Sequence, residues 1–215
     1  GLFSDAEDEW QRYHDLCVGT LGRLQQGAAL AGPSAAALMG VPLLAIPSKV
    51  YVRNIPRGEY ARNLTVLPPG PAGVVNELGI SSPARVAADC ARLMSSRDAL
   101  IVADALLAGG LCSLEDLSRM ADMLRNTIGV QRVRWIAANA DPLSESPGES
   151  WMRLVATNLG YEVVSQHPVR SGMREAWIDL LVAHTLIGLE CDGQVKYKRH
   201  APSRVVQEKI REGDL

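Results

Sequence analysis

Residues 176–182 read AWIDLLV and residues 186–193 read LIGLECDG, and these two apolar stretches decide the fold of the C-terminal part of the chain. Asp179 interrupts the first stretch, and Glu190 and Asp192 interrupt the second. Because side chains alternate between the two faces of a strand, each carboxylate points away from the face that its apolar neighbours form. The short connection between the stretches predicts a hairpin that brings Asp179 near Glu190.

The carboxylates of this hairpin have two interpretations. Carboxylates are costly to bury in a sheet unless they are paired, hydrogen-bonded or bound to a metal. Several of them on neighbouring strands are typical of a site for a hard cation such as Mg²⁺. The same spacing also fits an edge hairpin with a solvated acidic face and with Lys196 outside it. Spacing alone leaves both interpretations open.

The wider pattern resembles a known nuclease family. Residues 146–150 read SPGES, residues 166–169 read QHPV, and residues 190–193 read ECDG. Together with Asp179 and with Lys196 after the last motif, they resemble the PD-(D/E)xK nucleases. More narrowly, they resemble the very-short-patch-repair-like endonuclease domains of actinobacterial proteins.

This resemblance implies an α/β restriction-endonuclease-like domain over residues 144–215. It implies metal binding by Asp179, Glu190 and Asp192, with Mg²⁺ or Mn²⁺ as the cofactor, and DNA as the substrate. The catalytic set implied by the resemblance is Asp179, Glu190, Asp192, Lys196, Glu149 and Gln166.

The chain departs from the family pattern at two points. The position two residues after the second-strand acid, where the family usually has Lys, is Asp192, and Lys196 stands where the narrower family usually has His. The sequence also stops soon after the last motif, which predicts a fold that is truncated or that closes differently. The intact acidic hairpin and the basic residues after it favour a metal-dependent endonuclease, whereas the two departures favour an alternative. The alternative is a catalytically inactive nuclease fold that acts as an antitoxin, a regulatory protein or a protein-interaction module.

The first two-thirds of the chain predicts a separate domain. Apolar residues recur at helical spacing from residue 83 to residue 139, in segments that are separated by Ser and Gly. Residues 49–53 and 64–67 have the composition of short strands. This pattern predicts an α+β, largely helical domain over residues 1–143.

The middle of the chain resembles a second family. Residues 33–36 read PSAA, residues 82–89 read SPARVAAD, and residues 110–113 read GLCS. These pieces resemble the AbiEi-type antitoxins of type IV toxin–antitoxin systems, which in actinobacteria are often followed by the nuclease-like domain. The joining segment ADPLSESP at residues 140–147 is also similar. The resemblance implies a toxin–antitoxin or phage-defence context, with a toxin or a host factor as a protein partner.

The charge distribution is more informative than the net charge. A net charge of −2 and a pI of about 6.1 do not indicate a nucleic-acid-binding protein. Basic residues nevertheless flank the acidic hairpin, where a phosphate backbone would lie. A solvated, amphipathic C-terminal helix explains part of the same pattern. The predicted nucleic-acid contacts are Arg170 and Arg174, in a loop before the Asp179 strand, and Lys198, Arg199 and Arg204 after Glu190.

Composition excludes several other classes. The four cysteines have no CxxC or CxH spacing, so a zinc site is not predicted, and free thiols fit a reducing cytoplasm. No apolar run is long enough to span a bilayer. We therefore expect a cytoplasmic protein without a membrane partner.

Overall fold

The computed structural model of the protein describes residues 2–55, 63–69, 78–171 and 174–191. Over these ranges the chain forms seven helices and two three-stranded sheets, so the prediction of a mixed helix and sheet fold is confirmed. The helices are α1 (Leu2–Leu21), α2 (Gly32–Leu38), α3 (Pro83–Leu93), α4 (Ser96–Ala108), α5 (Leu114–Met123), α6 (Val130–Asn139) and α7 (Pro147–Asn158).

Local sequence signals explain where several helices begin. Pro83 occupies the first turn of α3, where its missing N–H has no intrahelical acceptor to lose. Ser95 caps α4 by accepting the N–H of Asp98 at 3.1 Å. Ser113 and Asp116 form a reciprocal capping box at the start of α5. Among the described residues, no helix has both the length and the apolar character needed to cross a bilayer.

The first sheet lies in the N-terminal part of the chain. Its strands are β1 (Ala29–Leu30), β2 (Val50–Arg53) and β3 (Leu64–Leu67). The order is β1-β2-β3, with an antiparallel pair followed by a parallel one. Helices α2, α3, α4, α5 and α6 pack together beside it around a core built mainly from Ala, Leu and Val, because the chain has a single Phe.

A buried group of charged residues joins this sheet to α3. The guanidinium of Arg53 donates to one carboxylate oxygen of Asp89, and Arg85 Nε donates to the other at 3.1 Å. All three side chains are at most 2% exposed. Desolvation by burial lowers the pKa of Arg53, and the carboxylate of Asp89 opposes that effect. The cluster ties β2 to α3 through one carboxylate.

The second sheet is an antiparallel meander near the C-terminal end of the described chain. Its strands are β4 (Val163–Ser171), β5 (Arg174–Val182) and β6 (Gly188–Leu189), in that order. The predicted strand at residues 186–193 is therefore much shorter than expected. Leu186 and Ile187 lie in the connection and are exposed, because the turn that leaves β5 extends beyond residue 185.

Helix α7 links the two parts of the molecule. It packs on α4 and also contacts β4 and β5. The predicted domain boundary at residue 143 falls in the loop between α6 and α7. Leu180 and Val182 are alternate residues of β5, and both are buried on one face of the second sheet. Ser165, which pairs with Leu180 from β4, is buried on the same face.

Candidate active site

Glu149 lies in the first turn of α7 and is 7% exposed. Ser146 caps this helix by accepting the N–H of Glu149 at 3.2 Å. The carboxylate of Glu149 accepts the backbone N–H of Glu145 at 2.9 Å and the side-chain amide of Gln166 at 3.1 Å, both through Oε2. The N-terminal end of a helix also favours a negative charge. Glu149 is therefore held in place by the helix cap and by β4.

Gln166 has an unusual backbone conformation for a strand residue. Its φ is +50°, in the left-handed region that residues other than Gly rarely adopt. The β4–β5 ladder pairs Ser165 with Leu180 and His167 with Ile178, so Gln166 stands opposite Asp179 without ladder pairing. Gln166 thus stands across from one predicted site residue and bonds to another.

Asp179 is partly buried at the centre of β5. Its Oδ2 accepts the backbone N–H of Cys191 at 2.7 Å. The β5–β6 register pairs Leu180 with Leu189, and one further step along it sets Glu190 across from Asp179. The side chain of Glu190 is exposed. Asp179 therefore stands between Gln166 on one neighbouring strand and Glu190 at the end of the other.

Cys191 brings the end of β6 against the start of α7. A Cβ added to Gly148 would overlap with Cys191 Sγ. The absence of a side chain at residue 148 therefore allows the thiol to approach the first turn of the helix that carries Glu149. Sequence reasoning did not select Cys191 or Gly148, because a thiol against a helical glycine has no sequence motif.

The structure describes two of the three predicted metal ligands, Asp179 and Glu190. Extending the β5–β6 register by one step sets Asp179 across from Glu190, whereas Asp192 and Lys196 lie outside the described residues. Within the ranges that the structure describes, no group of three or more His, Cys, Asp and Glu side chains could hold a metal ion. The donor chemistry still suits Mg²⁺, because carboxylate oxygens are its usual protein ligands. One N–H bond to Asp179 leaves acceptor capacity for a cation, since a carboxylate has about four lone-pair sites.

The predicted phosphate contacts also divide into two groups. Arg170 is an exposed residue of β4 and Arg174 begins β5, so the expectation that both lie in a loop was wrong. The strands are longer than predicted because the ladder pairing continues through the polar residues Arg170 and Ser171, which pair with Glu175 and Arg174. Three further residues lie outside the described part of the chain: Lys198, Arg199 and Arg204.

Comparisons of the chain with family models, with curated proteins and with solved structures found no significant match. The geometry of the C-terminal sheet and α7 is therefore the basis for a functional proposal.

Proposed function

We propose that the protein is a metal-dependent DNA endonuclease of the PD-(D/E)xK type that works in a toxin–antitoxin or phage-defence context. One observation carries the proposal: Gln166 bonds to Glu149 and stands opposite Asp179, while Glu190 follows on the other side of Asp179. The set consists of residues from α7, β4 and β5 and the residue that follows β6, up to 41 positions apart in the numbering from Glu149 to Glu190, and it lies around the middle of β5.

The proposal gives each residue of the candidate site a role. Asp179 and Glu190 would hold Mg²⁺ or Mn²⁺, with Asp192 or Glu149 completing the ligand set. When bound, such a cation polarises a phosphodiester and lowers the pKa of a coordinated water. Gln166 orients the carboxylate of Glu149 through its amide. In the proposal, Lys196 orients the attacking water or stabilises the negative charge that develops at phosphorus.

Substrate binding in this proposal depends on the basic residues beside the site. Arg170 is exposed on β4, on the same strand as Gln166. Arginine binds phosphate through planar, charge-assisted hydrogen bonds. The other proposed DNA contacts are Arg174, Lys198, Arg199 and Arg204. Such contacts give affinity without sequence selectivity, so we expect DNA binding that weakens as salt rises.

The test is Mn²⁺ and Mg²⁺ binding by calorimetry, together with cleavage of plasmid and single-stranded DNA. We expect the Asp179→Asn/Glu190→Gln variant to lose both metal binding and cleavage while keeping the circular dichroism spectrum of the wild type. The control is Asp122→Asn/Glu162→Gln, which neutralises two exposed carboxylates elsewhere and leaves binding unchanged. A wild-type protein that binds neither cation contradicts the proposal.

A second candidate is a catalytically inactive nuclease fold that serves as an antitoxin or a protein-interaction module. The observation that favours it is that protein N–H groups already occupy Glu149 Oε2 and Asp179 Oδ2. For this candidate we expect binding to DNA or to a protein partner that is equal in EDTA and in Mg²⁺, without cleavage. Cation-dependent cleavage that the Asp179→Asn variant abolishes would exclude it.

A further inference from the structure

Arg153 lies on α7, one helical turn after Glu149, and joins this helix to the N-terminal helical layer. Its side chain is 11% exposed. Nη2 donates to Oδ2 of Asp104 at 2.6 Å, and Nη1 donates to the carbonyl of Asn139 at 2.6 Å. Its Nε lies 3.6 Å from Oδ2 of Asp141. One guanidinium therefore bonds to α4, to the end of α6 and to the loop before α7.

Asp104 is the buried partner in this group. It comes from α4, and its side chain is 1% exposed. Besides Arg153 it accepts the backbone N–H of Asp141 at 2.8 Å. Desolvation raises the pKa of the Asp104 carboxyl, and the charge of Arg153 opposes that rise. Because a buried carboxylate is unfavourable without partners, Asp104 constrains both groups that bond to it.

Asp141 extends the same network to β4. Its Oδ2 accepts the hydroxyl of Ser165, which is buried and directly precedes Gln166. Arg153 is four residues after Glu149, so the two side chains lie on the same face of α7. The network therefore fixes α7 at Arg153, one turn after Glu149. It fixes β4 at Ser165, the residue before Gln166. The Glu149–Gln166 hydrogen bond thus has a residue of the network near each of its two partners, Arg153 near Glu149 and Ser165 next to Gln166.

We propose that Arg153 and Asp104 are positioning residues for the Glu149–Gln166 pair, so that the N-terminal helical layer sets the geometry of the candidate active site. The consequence for catalysis rests on the proposed nuclease function, whereas the geometric coupling does not. Neither residue would touch the metal or the DNA. Partners around a ligand commonly change metal affinity or activity by about 10- to 100-fold.

The experiment compares two Arg→Lys variants at the same helix–helix contact. Arg153→Lys replaces a fork with several donors by one ammonium, which cannot reproduce the bonds to Asp104 and Asn139 together. Arg97→Lys is the matched control. Arg97 also joins α4 to α7, with its guanidinium carbon 5.3 Å from the ring centroid of Trp151, but it bonds to neither Asp104 nor Asp141.

The readout is the ¹⁵N side-chain amide signal of Gln166, assigned from its loss in Gln166→Glu. We expect it to shift or broaden in Arg153→Lys and to stay at its wild-type position in Arg97→Lys. We also expect the Kd for Mn²⁺ to rise by about tenfold or more in Arg153→Lys alone. A wild-type protein that does not bind Mn²⁺ would contradict the nuclease proposal. The Gln166 amide signal would still show whether Arg153 positions the Glu149–Gln166 pair.

A purely structural role lowers the melting temperature of Arg153→Lys and leaves the Gln166 amide unmoved, and that result overturns the proposal. If Arg153→Lys does not fold, Ser165→Ala tests the other end of the network with the same signal. The hydroxyl of Ser165 donates to Asp141, so the substitution removes a single hydrogen bond. An unchanged Gln166 amide in Ser165→Ala then counts against the coupling, and a shifted one supports it.

Discussion

Gln166 stands directly across from Asp179 in the register of β4 and β5, at a rung where the ladder pairing is interrupted. The interruption has a local cause, since the φ of Gln166 is +50°. A strand residue in this conformation cannot present its N–H and C=O to the neighbouring strand in the usual way. Its side chain instead bonds to Glu149 on α7. The strained backbone of Gln166 thus occurs at the residue whose side chain joins the second sheet to α7.

The left-handed backbone of Gln166 predicts different stabilities for two substitutions. Gln166→Gly relieves the left-handed strain but loses a hydrogen bond of about 1 kcal/mol, so we expect stability close to the wild type. Gln166→Val places a β-branched residue at positive φ and should cost about 1–3 kcal/mol more than Gly. Urea denaturation followed by circular dichroism measures both. Equal stability of the Gly and Val variants would show that the left-handed conformation is not retained.

The carboxylate of Asp89 predicts a large loss of stability on neutralisation. Asp89→Asn removes the charge that two buried guanidinium groups, those of Arg53 and Arg85, share. Breaking a buried ion pair by removing one partner costs about 3–5 kcal/mol, because the remaining charge is left uncompensated. Guanidinium chloride is unsuitable for this measurement since it screens ion pairs, so urea denaturation is the appropriate method.

The control for this prediction is Asp98→Asn. Asp98 pairs with Arg97 at 2.7 Å, but their side chains are 22% and 41% exposed. An ion pair in contact with water contributes at most about 1 kcal/mol. Similar losses in the free energy of unfolding in Asp89→Asn and Asp98→Asn would contradict the prediction that the buried ion pairs contribute more to stability than the exposed one.

The capping box of α5 predicts a pH-dependent contribution to stability. Hydrogen bonds from the backbone N–H and the hydroxyl of Ser113 lower the pKa of Asp116 below its usual value of 3.8. A carboxyl whose pKa is lower in the folded state stabilises the fold above pH 3.8, and this stabilisation is lost as pH falls through the folded pKa. Asp116→Ala should cost about 0.5–1 kcal/mol at pH 7 and progressively less below pH 3.8.

Asp122→Ala is the matched control for the capping box. Asp122 lies in the last turn of the same helix, where a carboxylate opposes the helix dipole. Its removal should leave stability unchanged or raise it slightly at pH 7. Thermal unfolding of both variants between pH 3 and pH 7 provides the comparison. A pH-independent loss in Asp116→Ala would exclude the carboxylate as the stabilising group.

The buried cysteines predict slow thiol chemistry in the native protein. Cys17 and Cys90 are 0% exposed, and burial raises the pKa of each thiol. Burial also raises the pKa of Cys112 to about 12. Because the thiolate is the nucleophile, only about 10⁻⁴ of Cys112 is reactive at pH 8. Iodoacetamide labelling followed by mass spectrometry should modify these three residues in urea and spare them in buffer. Modification of Cys112 within minutes in the native state would contradict the prediction.

Local signals made most of the helical layer predictable. Pro83 in the first turn of α3 and the capping box of Ser113 and Asp116 are short-range features, and the sequence displays them directly. The β5 strand was predictable for the same reason, since apolar residues surround Asp179 from residue 176 to residue 182. The length of β6 was not predictable, because apolar Leu186 and Ile187 have the composition of a strand but lie in the turn.

The sequence by itself determined the starts of α3 and α5 and the β5 strand, because these depend on neighbours a few positions apart. Tertiary structure alone decided the left-handed backbone of Gln166, the thiol of Cys191 over Gly148, and the bond between Arg153 and Asp104. The last pair is 49 residues apart. Such contacts depend on how helices and strands pack, and no short-range spacing specifies the partner of a buried charge.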